Sequence, residues 1–399
     1  MVYWLGATSL LMDISSEMVS SVLPIFMFTA LAMSPLQVGV IDGVFQGLAS
    51  LTRVLAAHRA DALRDNHRIA WAGYAMSAVA VGLLLLSMAG GALFAFVALM
   101  LDRLGKGIRT APRDALIAAH AGSGRINAAF GVHRSMDAAG AFAGPLMAGA
   151  ILWLWVDRYE ILLAVSLAFA IASVLVFGAK VRNPVDLPDA CSATGGGAPA
   201  KGLVARVAQL LRYRPYRRLL LAVGGLGIFT VSDGMLFLAL QQQTQMPPRY
   251  MPLVYVASAL VFLLAVMPLA RAADRWGARR ILVSGYLCLG LAYGCLQAWP
   301  LAEEVRVIAV ALLVGLSHAA TDGILAIMVV ALVPRGDRTT GLALMGTVSG
   351  LAKLVSSPLL GWLWQSVSVL HAVAMFGGGL LFFIAVLMCG VPARWNRHE

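Results

Sequence analysis

The chain has 399 residues, 60% of them hydrophobic and only 12% charged, against about 25% charged in soluble domains. Its mean hydropathy is +0.83, and apolar stretches able to cross a hydrocarbon core of about 30 Å recur from end to end, which excludes a sizeable soluble domain. The formal charge of +11, from 30 Lys and Arg against 19 Asp and Glu, reads as topology and contact with anionic lipid, because no folded module exists to put it on nucleic acid.

Twelve spans are predicted, at 3–30, 36–57, 69–89, 92–113, 127–153, 160–179, 219–240, 250–270, 281–300, 305–333, 340–364 and 369–390. Backbone in lipid must satisfy its own hydrogen bonds, so each is expected to be a helix. Span 1 holds Asp13 and Glu17 one turn apart; these acids, and the lack of positive charge before them, argue against a signal peptide. Span 2 runs into the loop AHRADALRDNHR (57–68), which contains Asp61.

Span 4 leads into LDRLGKGIRTAPRDALIA (101–118), where Asp102, Lys106, Arg109 and Arg113 fall at i, i+4, i+7 and i+11 with Arg103 beside them. That single helix face must meet a cavity or partner helices, since a charge at the bilayer centre costs about 2.5–3.5 kcal/mol. Compensating acids are Asp13 and Glu17 on span 1, Asp137 near His133 on span 5, Asp233 on span 7, and Asp322 one turn after His318 on span 10. Lys353 lies mid-span in span 11. Acids coupled to Arg or Lys at this depth exchange a proton for a salt bridge and so link protonation to conformation; permanent pairs that only fix helix packing are the other reading. Span 5 also carries GAFAGPLMAG (140–149), where Gly140 and Gly144 lie one turn apart and allow close helix approach, and Pro145 removes a hydrogen bond.

Residues 181–218 form the one long connection, Pro-, Gly- and Ser-rich at first and then basic and amphipathic in GLVARVAQLLRYRPYRR (202–218), suited to the inner membrane surface. It separates an N-terminal half, 1–180, from a C-terminal half, 219–399. RIAWAGY (68–74) matches RILVSGY (280–286) at an offset of 212, while Asp61 and Asp274, Arg125 and Arg338, and Pro145 and Pro358 match at 213. Such a register indicates duplication. Six spans per repeat give both halves one orientation, related by an axis along the membrane normal, with a binding cavity between them expected to open alternately to each side. Odd-to-even connections contain only Arg158, Arg249 and Arg306 of the 30 Lys and Arg, so both termini are expected in the cytoplasm. The four cysteines show neither metal-ligand nor disulfide spacing.

On these features the chain resembles the major facilitator superfamily over essentially its whole length. ARAADRWGARR (270–280) is similar to that family's G-x-x-x-D-R-x-G-R-R signature, placing Asp274, Arg275 and Gly277, although Ala270 stands at the first glycine. The first-half loop keeps Asp61 but loses the central glycine. LMLDRLGKG (99–107) resembles the span 4 motif l-x-x-x-R-x-x-Q-G, with Arg103 at the arginine and Lys106 at the glutamine; GAFAGPLMAG is similar to the G-x-x-x-G-P-x-x-G-G motif of drug and metabolite antiporters. The resemblance implies an all-α membrane fold of twelve transmembrane helices in two pseudo-symmetric six-helix halves. It gives conformational roles to Asp61, Asp274, Arg275, Gly277, Gly140, Gly144 and Pro145.

The function so implied is secondary transport across a bacterial cytoplasmic membrane, with proton-coupled export of a small organic molecule favoured over import of a metabolite or siderophore. The expected proton-coupling groups are Asp13, Glu17, Asp102, Arg103, Lys106, Asp137, Asp233, Asp322 and Lys353, with the span 1 acids and Asp102–Arg103 at their centre. Partners are the small-molecule substrate, protons and membrane lipid, not nucleic acid; no cofactor is expected, and the working unit is read as a monomer. The sequence has no Walker loop for ATP-driven transport and no nucleophile or H-E-x-x-H motif for an intramembrane enzyme.

Overall fold

The computed structural model describes residues 1–47, 66–121, 126–182, 203–297, 302–334 and 337–390, and all regular structure in them is helical. Span 1 is α1 (Val2–Ser20), continued after a 42° bend by α2 (Leu23–Ile25) and a π-helical turn (Phe26–Ala30). Pro24, without an N–H, falls just after the bend, where a missing donor does least harm. Span 2 begins as α3 (35–47). Then follow α4 (Asn66–Gly90), α5 (Ala92–His120), α6 (Ile126–Leu154) and α7 (Tyr159–Lys180). The basic amphipathic segment forms α8 (Leu203–Arg212). Span 7 is divided between α9 (Arg214–Ile228) and α10 (Asp233–Thr244). The rest are α11 (Met251–Trp276), α12 (Ala278–Gln297), α13 (Glu303–Leu332), α14 (Arg338–Ser366) and α15 (Val369–Gly390).

Among the described residues nine helices are long and apolar enough to cross a membrane, and the bent pair in span 1 makes a tenth. The charged α5 fails that compositional test despite its 29 residues, and α3 ends where the described residues end; the described part of each predicted span is helical apart from the bend in span 1 and the interruption in span 7. Outward-facing side chains such as Leu175, Leu221, Leu263, Leu264 and Phe382 are more than 60% exposed. An apolar exterior of this kind requires lipid around it.

The chain divides into two compact units: Met1–Leu31 with Leu48–Ala200, and Ala32–Gly47 with Lys201–Glu399. In the first, α1 packs on α6 and α7, and α4 packs on α5 and α7. Its core joins Leu5, Met12, Tyr74, Ile117 and Phe177. Interhelical hydroxyl bonds pin the helices where the hydrophobic effect gives little guidance: Ser15 with Ser166 at 2.8 Å, and Ser173 donating to the Thr8 carbonyl at 2.8 Å. In the second unit α13 packs on α11 and α12, and α9 on α14 and α15.

Candidate functional site

In the first unit the charges of α5 fold inward against α4, α1 and α6. Gly73 and Gly105 face each other so closely that a Cβ on Gly105 would stand 2.7 Å from the Gly73 carbonyl oxygen. This approach buries Arg109, which is 3% exposed, donates to the Ser77 hydroxyl and lies 5.0 Å over the Tyr74 ring. One turn on, Arg113 bonds its neighbour Asp114 twice, at 2.9 and 3.0 Å, approaches Ser9 at 3.4 Å and stands 3.9 Å from Asp137. The His133 ring lies 3.4 Å from the same Asp137. Lys106 reaches Glu17 at 4.0 Å, whereas Arg103 turns back on its neighbour Asp102 at 2.9 Å.

The structure therefore links span 1 to span 4 through Glu17 and Lys106. Asp13 makes no ion pair among the described residues, yet its charge is felt at Asp137. Gly140 and Gly144 of α6 seat directly on α1 beside these acids. A Cβ on Gly140 would stand 3.0 Å from Asp13 Cβ, and one on Gly144 would stand 3.0 Å from Glu17 Cβ. Pro145 lies within α6 next to this contact.

In the second unit span 7 is interrupted at 229–232, and other helices satisfy the backbone groups this frees. Tyr293 of α12 accepts from the Val231 N–H at 2.8 Å and donates to the Phe229 carbonyl at 3.1 Å, while Ser356 of α14 donates to the Thr230 carbonyl at 2.7 Å. Non-helical backbone at membrane depth persists only where it is so satisfied. The helix restarts with Ser232 as its cap, accepting from the Met235 N–H at 3.3 Å, and Asp233 as its first residue. A carboxylate there meets the positive end of the helix dipole. His318 Nε2 lies 2.9 and 3.1 Å from the two Asp233 oxygens, and its Nδ1 lies 3.9 Å from Asp322. Lys353 is exposed, and its charge is felt at Asp233.

A further carboxylate, absent from the candidates read in the sequence, joins this cluster. Asp42 of α3 accepts from Ser357 at 2.6 Å and feels the charges of Lys353 and Asp233. It gets there because α3 lies against α14 with almost no gap. A Cβ on Gly43 would stand 2.6 Å from Pro358 Cδ, and one on Gly39 would overlap the Ser357 carbonyl oxygen. Two signals were in the sequence: an acid inside an apolar span, and glycines at 39, 43 and 47 repeating every fourth residue.

The Major Facilitator Superfamily model matches residues 5–240 and again 225–398. The chain belongs to the Major Facilitator Superfamily. It is 28% identical over 400 residues to an uncharacterized MFS-type transporter of Methanocaldococcus jannaschii, covering 96% of this chain and 94% of that one. It is 27% identical over 377 residues to an uncharacterized protein of Mycobacterium tuberculosis, at 90% and 85% coverage. The fold is that of the nucleoside transporter NupG (TM-score 0.82, 12% identity, 98% and 100% of the two chains) and of the peptide transporter POT (0.77, 14%, 97% and 93%). This superfamily member is an integral membrane protein and a secondary transporter of a small molecule, not an enzyme.

The superfamily signature between α11 and α12 shows why its glycine is needed. Gly277 ends α11 with φ +94° and ψ 135°, a conformation closed to side-chain-bearing residues, and its N–H reaches back to Ala273 at 2.9 Å. Asp274 and Arg275 are exposed in the last turn before it. Asp61, their counterpart in the first half, lies outside the described residues.

Proposed function

We propose that the chain is a proton-coupled exporter of a small organic molecule, working as a monomer by alternating access in a bacterial cytoplasmic membrane. The observation that carries the coupling is His318 held between Asp233 and Asp322, with Lys353 and Asp42 coupled electrostatically to Asp233. An imidazole between two carboxylates takes up or passes a proton with little movement, and at membrane depth the charge it gains or loses weighs heavily. The first unit supplies a second exchange-competent group set in Asp13, Glu17, Lys106 and Asp137, with Asp102–Arg103 and Arg113–Asp114 as fixed pairs beside it. Each opposed pair favours one conformation when ionised and releases it when a proton or a charged solute replaces a partner.

Export is supported by the seating of Gly140 and Gly144 on the stretch of α1 that carries Asp13 and Glu17, because this ties the antiporter-like motif to the acids. The scarcity of Lys and Arg in odd-to-even connections supports cytoplasmic termini and a cytoplasmic linker at 181–218 joining halves 1–180 and 219–399. Reconstituted vesicles of known orientation, given an imposed pH gradient and a solute library, test the proposal. Solute movement opposite to the proton gradient, lost in Asp233→Asn while solute counterflow persists, is the expected result. Flux indifferent to pH in the wild type would refute coupling, and co-directional flux would refute export.

A further inference from the structure

The α11–α13 pair contains a cavity apart from the charged clusters described above. The two helices touch where Gly315 meets Ser258, with no room for a Cβ between them. Toward their first residues they part around a space of about 520 Å³, walled by Leu253 and Ala257 of α11, Val307 and Ala311 of α13, and Met246 of the preceding turn. The outer edges of this groove are Leu253, Ile308 and Leu312, which are 41%, 59% and 43% exposed. In a membrane-spanning bundle these side chains meet hydrocarbon, so the groove opens to lipid tails rather than to water.

Its mouth is charged. Glu303 and Glu304 line the groove from the first turn of α13. The nearest cation to Glu303 is Arg306 at 4.0 Å, and Glu304 makes no ion pair among the described residues. Arg249 precedes the lining residue Tyr250 and lies 5.3 Å over its ring. Along α13, Glu304 to Leu312 spans about 12 Å at 1.5 Å per residue, close to the roughly 15 Å depth of one leaflet's hydrocarbon. Acids at the headgroup level, with an apolar slot one leaflet deep beneath them, match a ligand that has a hydrogen-bonding cationic head and an acyl tail. An anionic head without an ammonium would be repelled.

We propose that this groove is a binding site for a phospholipid with a primary-ammonium head, one acyl chain between α11 and α13 and the ammonium on Glu304 and Glu303. The adjacent Arg249 suits the phosphate of such a zwitterion. The site is independent of the direction and coupling of transport. Acids in a first turn also favour the helix dipole, so the test must fill the groove as well as neutralise its mouth.

The full chain, delipidated in detergent, is titrated with phosphatidylethanolamine, phosphatidylcholine and phosphatidylglycerol of matched chains, and adducts are read by native mass spectrometry. Wild type should take phosphatidylethanolamine about tenfold more tightly than either other lipid, the worth of one charge-assisted hydrogen bond. Glu303→Gln with Glu304→Gln should erase that preference, and Val307→Phe or Ala257→Phe should remove the tight adduct while size-exclusion profiles stay monodisperse. Equal binding of the three lipids, or an adduct unchanged in both groove-filled variants, would overturn the assignment. So would groove binding of dodecylammonium without any phosphatidylethanolamine adduct.

Discussion

Gly144→Ala adds one methyl group where α6 seats on α1. The new Cβ would stand 2.8 Å from two backbone atoms, the Ile14 oxygen and the Met18 nitrogen. Non-bonded atoms prefer about 3.5–4.0 Å, and neither neighbour is a flexible chain end, so the helices must part by most of an ångström. Overpacking of this kind costs about 1–3 kcal/mol. Alanine also gains up to about 1 kcal/mol over glycine in helix propensity, which would mask part of the loss. Gly131, on the same helix, has nothing within 4 Å of its added Cβ, and Gly131→Ala carries the same propensity gain without the clash. The difference between the two variants isolates the contact at about 1–3 kcal/mol. Thermal unfolding of both proteins in detergent measures it, with Gly144→Ala expected to melt below Gly131→Ala. An equal or higher midpoint for Gly144→Ala would mean that α1 and α6 do not approach as described, and would remove the packing basis for the exporter reading.

Three other outcomes follow from the geometry. Tyr293→Phe should destabilise the protein by about 1–3 kcal/mol, because the buried Val231 N–H and Phe229 carbonyl lose their partner; denaturant titration against Tyr286→Phe as a reference checks it. Gly277→Ala should cost about 1–3 kcal/mol through its backbone conformation alone, and a melting temperature equal to wild type would contradict the φ of +94°. Asp42→Ala should cost more stability than Asp42→Asn, which keeps an acceptor for Ser357, by about 1–3 kcal/mol. Both variants should also change the pH dependence of flux, measured in vesicles, and unchanged profiles would take Asp42 out of the polar cluster.

The helical architecture was legible because hydropathy alone fixes it: each apolar run has to be a helix, and the 213-residue register of Asp61 with Asp274 and Pro145 with Pro358 announced the repeat. The face of α5 was legible for the same reason, since 3.6-residue spacing dictates which charges align. The pairings between helices were not. Glu17 meets Lys106, a pairing set by helix rotation and tilt that no single span encodes. His318 was marked only by Asp322 one turn on; the restart of span 7 at Asp233 is what brings the second, closer carboxylate to its ring. Asp42 is harder to read, because its three glycines look like ordinary small residues until a second helix is laid on them.

The interruption of span 7 places the Val231 N–H and the Phe229 and Thr230 carbonyls on Tyr293 and Ser356, so these groups lean on side chains and not on solvent. Backbone that leaned on water would rearrange each time the surrounding space dried. Here the α10 terminus keeps its aim through wetting and drying, and the electrostatic cost of dehydration falls on the side chains alone. Under the proposed coupling, a proton or a solute that neutralises Asp233 and its neighbours would lower that cost.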